Sequence, residues 1–286
     1  MPTSLDLTAR PGGSTQLFVI VSDPVAQLQL PTIFNDIFRR AGFDAVLIPM
    51  HVAAEHFDRV FDGLKEVRNL AGVMVGVPHK QAVLRHAERS SEMAAIVGAA
   101  NAMRRDPDGR WLAEMLDGDG FWFGLGAAGY QVRGRRALLV GAGSAGSAIA
   151  AVLLEQGLEH VYLSDIVPAK AAALAERFAA RWPGRISTLA TPDPRGMDMV
   201  INATPLGRRD DDPLPFDLER LTPGALVADI VVSSSETPLL RAAAARGFRT
   251  HRGIYMLSEQ VRSYAEFFGF AWALDRIGWS EDEYEA

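Results

Sequence analysis

Cysteine is absent from all 286 residues, which excludes disulfides, a thiolate nucleophile and cysteine-ligated zinc, and fits a reducing compartment. An excess of one charge is missing too. Lysine and arginine number 29 against 35 aspartates and glutamates, a net charge of −6 with the signs interspersed, so no basic stripe exists to neutralise a phosphate backbone. Nucleic acid is set aside as a partner. No apolar run approaches the roughly 18 residues of a bilayer span, and the N-terminal stretch lacks the apolar core of a secretory signal. The expectation is a cytoplasmic protein with a frayed N-terminus, a monomer or homodimer with no membrane partner. The histidines His51 and His79 have no second ligand at metal-binding spacing, so they read as ordinary surface or core residues and no metal is expected.

What is present is a chain 48% hydrophobic and 22% charged, long enough for two domains that each bury a core. Short apolar runs (LFVIVSD, AVLIPMHV, AGVMVGVP) alternate with amphipathic stretches such as TIFNDIFRRAG and FDRVFDGLKEVRN, the pattern of an α/β unit. QAVLRHAERSSEMAAIV reads as a further helix, and NAMRRDPDGRWLAEML as a hairpin closing the unit. A second α/β unit starts after Gly134 with RALLVGAG, SAGSAIAAVLLEQG and HVYLSD. The apolar, aromatic-rich segment from Ser258 to Ile277 is expected to pack back on the first domain.

GAGSAG, comprising Gly141, Ala142, Gly143, Ser144, Ala145 and Gly146, follows a strand and opens a helix. Its first glycine permits a tight turn, the second lets backbone N–H groups approach a pyrophosphate, and the third lets helix and strand pack closely. Asp165 ends the next strand at the spacing of a ribose-binding carboxylate. Because a carboxylate repels a 2′-phosphate, and the next residues Ile166, Val167 and Pro168 offer no arginine, NAD is expected over NADP. Lys80 in VPHK and Asp117 in LDGDGF, the latter at the junction of the two units, could together give an acid–base pair if they face one cleft. The plainer reading of Lys80 alone is a solvated helix residue.

The blocks VSDPV, GVPHK, GAAN, DGDGF, GAGSAG, NATPLG, D-x-V followed by TPLL, and GIYMLSEQ, in that order, resemble the shikimate/quinate dehydrogenase family. The resemblance implies an N-terminal α/β substrate domain, a Rossmann-type doubly wound nucleotide domain, and C-terminal helices returning to the first domain. The implied boundaries are 1–116 completed by 258–286, and 117–257. It implies reversible hydride transfer between a nicotinamide and a secondary alcohol or ketone of a cyclic small molecule. Lys80 and Asp117 match catalytic positions, while Asn101 and Gln260 match substrate positions. Ala203, Thr204, Pro205 and Leu206, with Val231, Gly253, Met256 and Leu257, match positions at the nicotinamide half of the cofactor site.

The departures from the family pattern run one way. The first loop, in which the family presents two hydroxyls in H-S-x-S-P, here carries Gln27, Leu28 and Leu30. The family's N-V-T-x-P-x-K becomes Met74, Val75, Gly76, Val77, Pro78, His79, Lys80. The N-T before the aspartate becomes Met115 and Leu116, the tyrosine of D-x-V-Y becomes Val232, and a glycine becomes Tyr255. Each lost partner leaves a buried polar group of the ligand unsatisfied at about 1–3 kcal/mol. The expectation is retained redox chemistry on a substrate other than shikimate, with Gln27 as a neutral substrate-binding donor. The alternatives are a true shikimate or quinate dehydrogenase, or a silent NAD-binding protein.

Overall fold

The computed structural model describes residues 11–232 and 236–280, so the expected fraying of the N-terminus concerns residues outside this description. The described residues form two compact units: 11–94, 99–114 and 261–280 make the first, and 95–98 with 115–232 and 236–260 the second.

The first unit is built on β1 (Gln16–Ser22), α1 (Leu30–Ala41), β2 (Ala45–His51), α2 (Phe57–Lys65), β3 (Leu70–Val75), β4 (Arg89–Ser90), the start of α3 (Glu92–Val97), whose last residues count with the second unit, β5 (Ala102–Arg105) and β6 (Trp111–Glu114). Its sheet has the order β2-β1-β3-β5-β6-β4. β1 pairs in parallel with β2 and β3, whereas β5 pairs antiparallel with β3 and, across the Asp-Pro-Asp-Gly turn, with β6. β1 is buried from Phe18 to Ser22, as a strand flanked on both sides must be, and so reads as an unbroken apolar run. α1 buries Leu30, Ile33, Phe34, Ile37, Phe38 and Ala41 at three- and four-residue spacing. It stops at Gly42, whose φ of 64° is left-handed and whose N–H donates back to Arg39.

The stretch from Gln81 to Val97 differs from the single helix its composition suggests. A short 3-10 turn at Ala82–His86 is followed by β4 and then by α3. Ser91 makes the break: its hydroxyl accepts the Ala94 N–H at 3.0 Å as an N-cap and also bonds the Glu114 carboxylate, which starts a new helix where the old one would have continued.

The second unit comprises α4 (Asp117–Ala127), β7 (Arg136–Val140), α5 (Ser144–Glu155), β8 (His160–Ser164), α6 (Pro168–Ala179), β9 (Ile186–Thr188), β10 (Met199–Asn202), β11 (Leu226–Asp229), α7 (Pro238–Ala244) and β12 (Arg249–Arg252). The sheet order is β12-β11-β10-β7-β8-β9 and each pairing is parallel. Succession reverses between β7 and β10, the switch point outside whose strand ends ligands bind in doubly wound sheets. α5 is buried from Gly146 to Leu154 because it lies between the sheet and α4. The edge strand β12 has no counterpart in the sequence reading, since RTHR carries no apolar run.

The chain passes from the second unit to the first within α8 (Gly253–Phe268), after Gln260, and continues into α9 (Ala271–Ile277). The phenylalanines of FFGFAW pack into the core of the first unit while Trp272 is exposed: Phe268 and Phe270 meet Phe18 edge-on at 5.4 Å, and Phe270 meets Phe34 and Phe38 at 5.6 and 5.2 Å. Among the described residues no helix is long and apolar enough to cross a membrane.

Candidate active site

In the first unit the candidate residues cluster where β1 and β3 end. Lys80 is half-buried in the turn after β3, and its carbonyl accepts the Ala100 N–H at 2.8 Å, which sets it beside Asn101. Asn101 is fully buried, its N–H donating to Glu114 and its carbonyl accepting from Val75 at 2.8 Å. Gln27 is exposed, and its Nε2 donates to the Pro24 carbonyl of its own loop at 3.0 Å. Leu30 faces inward as the first residue of α1, so only Leu28 of the two leucines is partly accessible.

A Cβ at Gly76, where the family pattern has threonine, would lie 2.5 Å from Ser22 Oγ. Ser22 is fully buried and donates to the Val77 carbonyl at 2.9 Å, so its hydroxyl fills the space a side chain at 76 would need. His79 is a core residue, with Nε2 against the Val52 carbonyl at 2.8 Å and the ring stacked on Phe57; burial holds its pKa below the usual histidine range. His51 is at the surface, 2.6 Å from the Asp23 carboxylate.

In the second unit Asp117 opens α4 and is 3% exposed. Gln260 Nε2, from α8, donates to Asp117 Oδ1 at 2.8 Å, so the structure brings these two candidates together. The glycines of LDGDGF make this possible. A Cβ at Gly118 would lie 2.6 Å from Ala148 O of α5, and one at Gly120 would collide with Met256 O of α8. Only bare backbone lets α4 pass between the two helices.

The glycine turn divides its three glycines into two kinds. Gly141 has a φ of 106°, and a Cβ there would lie 2.7 Å from Ala203 O; a Cβ at Gly146 would strike Gly141 O. Both are demanded by the chain's own packing. At Gly143, the N-cap of α5 in extended backbone, a Cβ would meet nothing within 4 Å. The open space lies at the helix N-terminus, which fits the pyrophosphate of a dinucleotide. Ala142, Ser144 and Ala145 complete that turn, and Ile166 stands beside it in the loop after β8, almost fully exposed.

The residues expected at the nicotinamide half share the C-terminal edge of the sheet. Ala203, Thr204, Pro205 and Leu206 follow β10, Val231 follows β11, and Gly253, Met256 and Leu257 lie in the first turns of α8. Gly253 sits against the Ile230 carbonyl, where a Cβ would lie 2.7 Å from the oxygen. Three residues escaped the sequence reading although they stand inside quoted blocks: Asn202, Asp229 and Thr237, each buried. The signal was a polar residue closing an apolar strand, in MVIN and LVAD. Burial pushes the Asp229 carboxyl up, against hydrogen bonds from Thr237, Val231 and Asn202 that pull it down.

Residues 20–103 match the model of the shikimate dehydrogenase substrate binding domain. The chain is 37% identical over 271 residues to a shikimate dehydrogenase (NADP(+)) of Rhodospirillum rubrum, covering 92% of this chain and 95% of that one. It is 35% identical over 253 residues to the enzyme of the same name from Rubrobacter xylanophilus, covering 87% and 88%. A ligand-free 5-ketofructose reductase of Gluconobacter sp. strain CHM43 superposes with a TM-score of 0.81 at 28% identity, over 93% of this chain and 100% of that one.

The cofactor in the relatives' names corrects the expectation of NAD, which rested on Asp165 as a ribose reader. The structure gives that carboxylate other work. Oδ2 accepts the Ala142 N–H at 2.7 Å and Oδ1 accepts the Val167 N–H at 2.8 Å, so Asp165 ties the glycine turn to the loop after β8. Spacing alone does not separate a carboxylate that clamps its own loops from one that selects a ribose.

Proposed function

The chain belongs to the shikimate dehydrogenase family of oxidoreductases, and from that premise we propose that it catalyses NADP-dependent, reversible conversion of a secondary alcohol to its ketone on a small polyhydroxylated substrate without a carboxylate. The carrying observation is the loop after β1. PVAQLQLP holds no hydroxyl, Leu30 is turned into the core, and the Gln27 amide donates to its own loop. A substrate carboxylate placed there would lose charged hydrogen bonds worth about 1.5–3 kcal/mol each. The neighbouring fold of a 5-ketofructose reductase, a name that implies a ketone without a carboxylate, supports the same reading.

NADP, when bound, supplies or accepts the hydride. The glycine turn at 141–146 is the seat for its pyrophosphate, with Gly143 leaving the needed room and the α5 N-terminus providing N–H donors. Lys80 is the proposed acid–base group, giving a proton to the substrate oxygen on reduction and taking it on oxidation. Asp117 is proposed as the catalytic carboxylate, with Gln260 holding its Oδ1. Asn101, locked by backbone bonds from two strands, is proposed as a fixed donor to a ring hydroxyl.

A second reading, turnover of shikimate itself, is supported directly by the names of the two relatives. NADP+ reduction measured against shikimate, quinate and a panel of neutral cyclic and linear polyols separates the readings, with Lys80→Ala as the control. Activity on neutral polyols that vanishes in the control supports the first; activity confined to shikimate supports the second. No Lys80-dependent turnover anywhere in the panel contradicts both.

A further inference from the structure

Asn202 and Asp229 close the adjacent strands β10 and β11 and are register partners. Strand ends at this edge of a doubly wound sheet usually lead into loops satisfied by water or ligand, yet these two side chains are 0% and 1% exposed and bonded to each other. Asn202 Nδ2 donates to Asp229 Oδ1 at 2.9 Å and also to the Leu206 carbonyl at 2.9 Å. Asn202 Oδ1 accepts from Thr204 twice, from the N–H at 3.1 Å and from the hydroxyl at 2.6 Å. Asp229 Oδ1 also accepts the Val231 N–H at 3.1 Å, and Oδ2 accepts the Thr237 hydroxyl at 2.7 Å. Thr237 in turn caps α7 by accepting the Leu240 N–H.

The result is one chain of hydrogen bonds from the cap of α7 through a buried carboxylate to the loop at 204–206. Rotating either the Asn202 or the Asp229 side chain would leave a buried polar group unpaired. The two loops it joins carry Thr204, Leu206 and Val231, which the family resemblance assigns to the nicotinamide half of the cofactor site. None of the bonds reaches the glycine turn, where the other half of the dinucleotide would sit.

We propose that Asn202 and Asp229, anchored by Thr237, are positioning residues that fix the nicotinamide-side loops and leave the adenosine-side site untouched. The inference rests on the proposed cofactor reading. It separates two halves of one ligand, and that separation is what an experiment can read.

The probes are NADP+ and adenosine 2′,5′-bisphosphate, which has the adenosine half alone, titrated calorimetrically into the full chain. In Asn202→Asp at pH 8, a second carboxylate faces Asp229 and the donations to Asp229 and Leu206 are lost. NADP+ should bind about tenfold more weakly, the loss expected of one charge-assisted hydrogen bond, while the bisphosphate binds within about twofold of wild type. Thr237→Val should weaken NADP+ binding by about threefold, and Thr237→Ser, which keeps the hydroxyl, should restore it. Circular dichroism reports folding; if Asn202→Asp does not fold, the Thr237 pair decides. Equal weakening of both ligands, or unchanged NADP+ binding in a folded variant, overturns the inference. Failure of the wild-type protein to bind either ligand overturns the cofactor reading itself and removes the basis for this one.

Discussion

The C-terminal edges of the two sheets are built by opposite means. Where β10 and β11 end, Asn202 and Asp229 are buried, charged or polar, and interlocked with Thr204 and Thr237. Where β1 and β3 end, the positions are Ser22 and a bare Gly76, and the loop beyond runs through Leu28 to the buried Leu30. In the first case each polar group is needed by the next, so no single one can be exchanged without stranding its partner. In the second the hydrogen-bonding capacity is sparse and largely turned on the protein itself. The difference teaches where exchange is cheap in this chain: the interlocked edge resists substitution because each polar group has a buried partner, and the sparse edge permits it.

The comparison breaks first if Lys80, on the sparse edge, is not the proton-transfer group. Lys80→Ala should lower kcat by about 10²–10⁴-fold, the usual range for a general acid–base residue, with NADP+ affinity unchanged. Stopped-flow measurement of the hydride step beside a binding titration checks both halves of that statement.

His251 sharpens the comparison from the other side, because it is a buried polar group of the second unit that the interlocking leaves out. It is 1% exposed, neither ring nitrogen has a hydrogen-bond partner among the described residues, and it packs on Phe121 and Tyr255. Burial pushes its pKa from 6.5 to about 4. The unfolded chain therefore binds more protons than the folded one between these values, and stability must fall as pH drops from about 6.5 towards about 4. The loss is on the order of 3 kcal/mol. Urea unfolding across that range should show the acid limb, and His251→Leu should flatten it.

A threonine restored at Gly76 tests whether the sparse edge is sparse for a packing reason. Gly76→Thr should cost about 1–3 kcal/mol through its clash with the buried Ser22 hydroxyl. Ser22→Gly in the same chain should recover most of it, giving a coupling that a double-mutant cycle in thermal unfolding measures. Additive effects would separate the two positions. The smallest expected effect on folding belongs to Gly143→Ala, which meets no protein atom and should alter stability by less than about 0.5 kcal/mol. Its NADP+ affinity should nevertheless fall about tenfold, since the methyl would occupy the ligand's space.

Much of this was legible before the structure. The strands are apolar runs of the right length, GAGSAG follows a strand and opens a helix, and Asp117 and Gln260 stand in recognisable blocks. What escaped did so for physical reasons. β12 is polar because it is an edge strand, and the break before α3 depends on Ser91 being used as a cap against a distant Glu114. Asp165 has the spacing of a ribose reader and also accepts one backbone N–H at each oxygen, a use that spacing does not encode. Gly76 reads as a missing hydroxyl; only the fold reveals Ser22 from another strand in its place. Gly118 and Gly120 look like a loop motif until α5 and α8 are seen to press on them from two sides.

The most direct test of the central claim holds the ring constant and removes only the charge. The quantity to measure is kcat/KM with NADP+ for shikimate and for its methyl ester. Turnover of the ester as good as or better than that of the acid is the predicted result, because the loop after β1 offers a carboxylate neutral amides and no hydroxyl. A preference for the acid of tenfold or more, about 1.4 kcal/mol in transition-state binding, would contradict it.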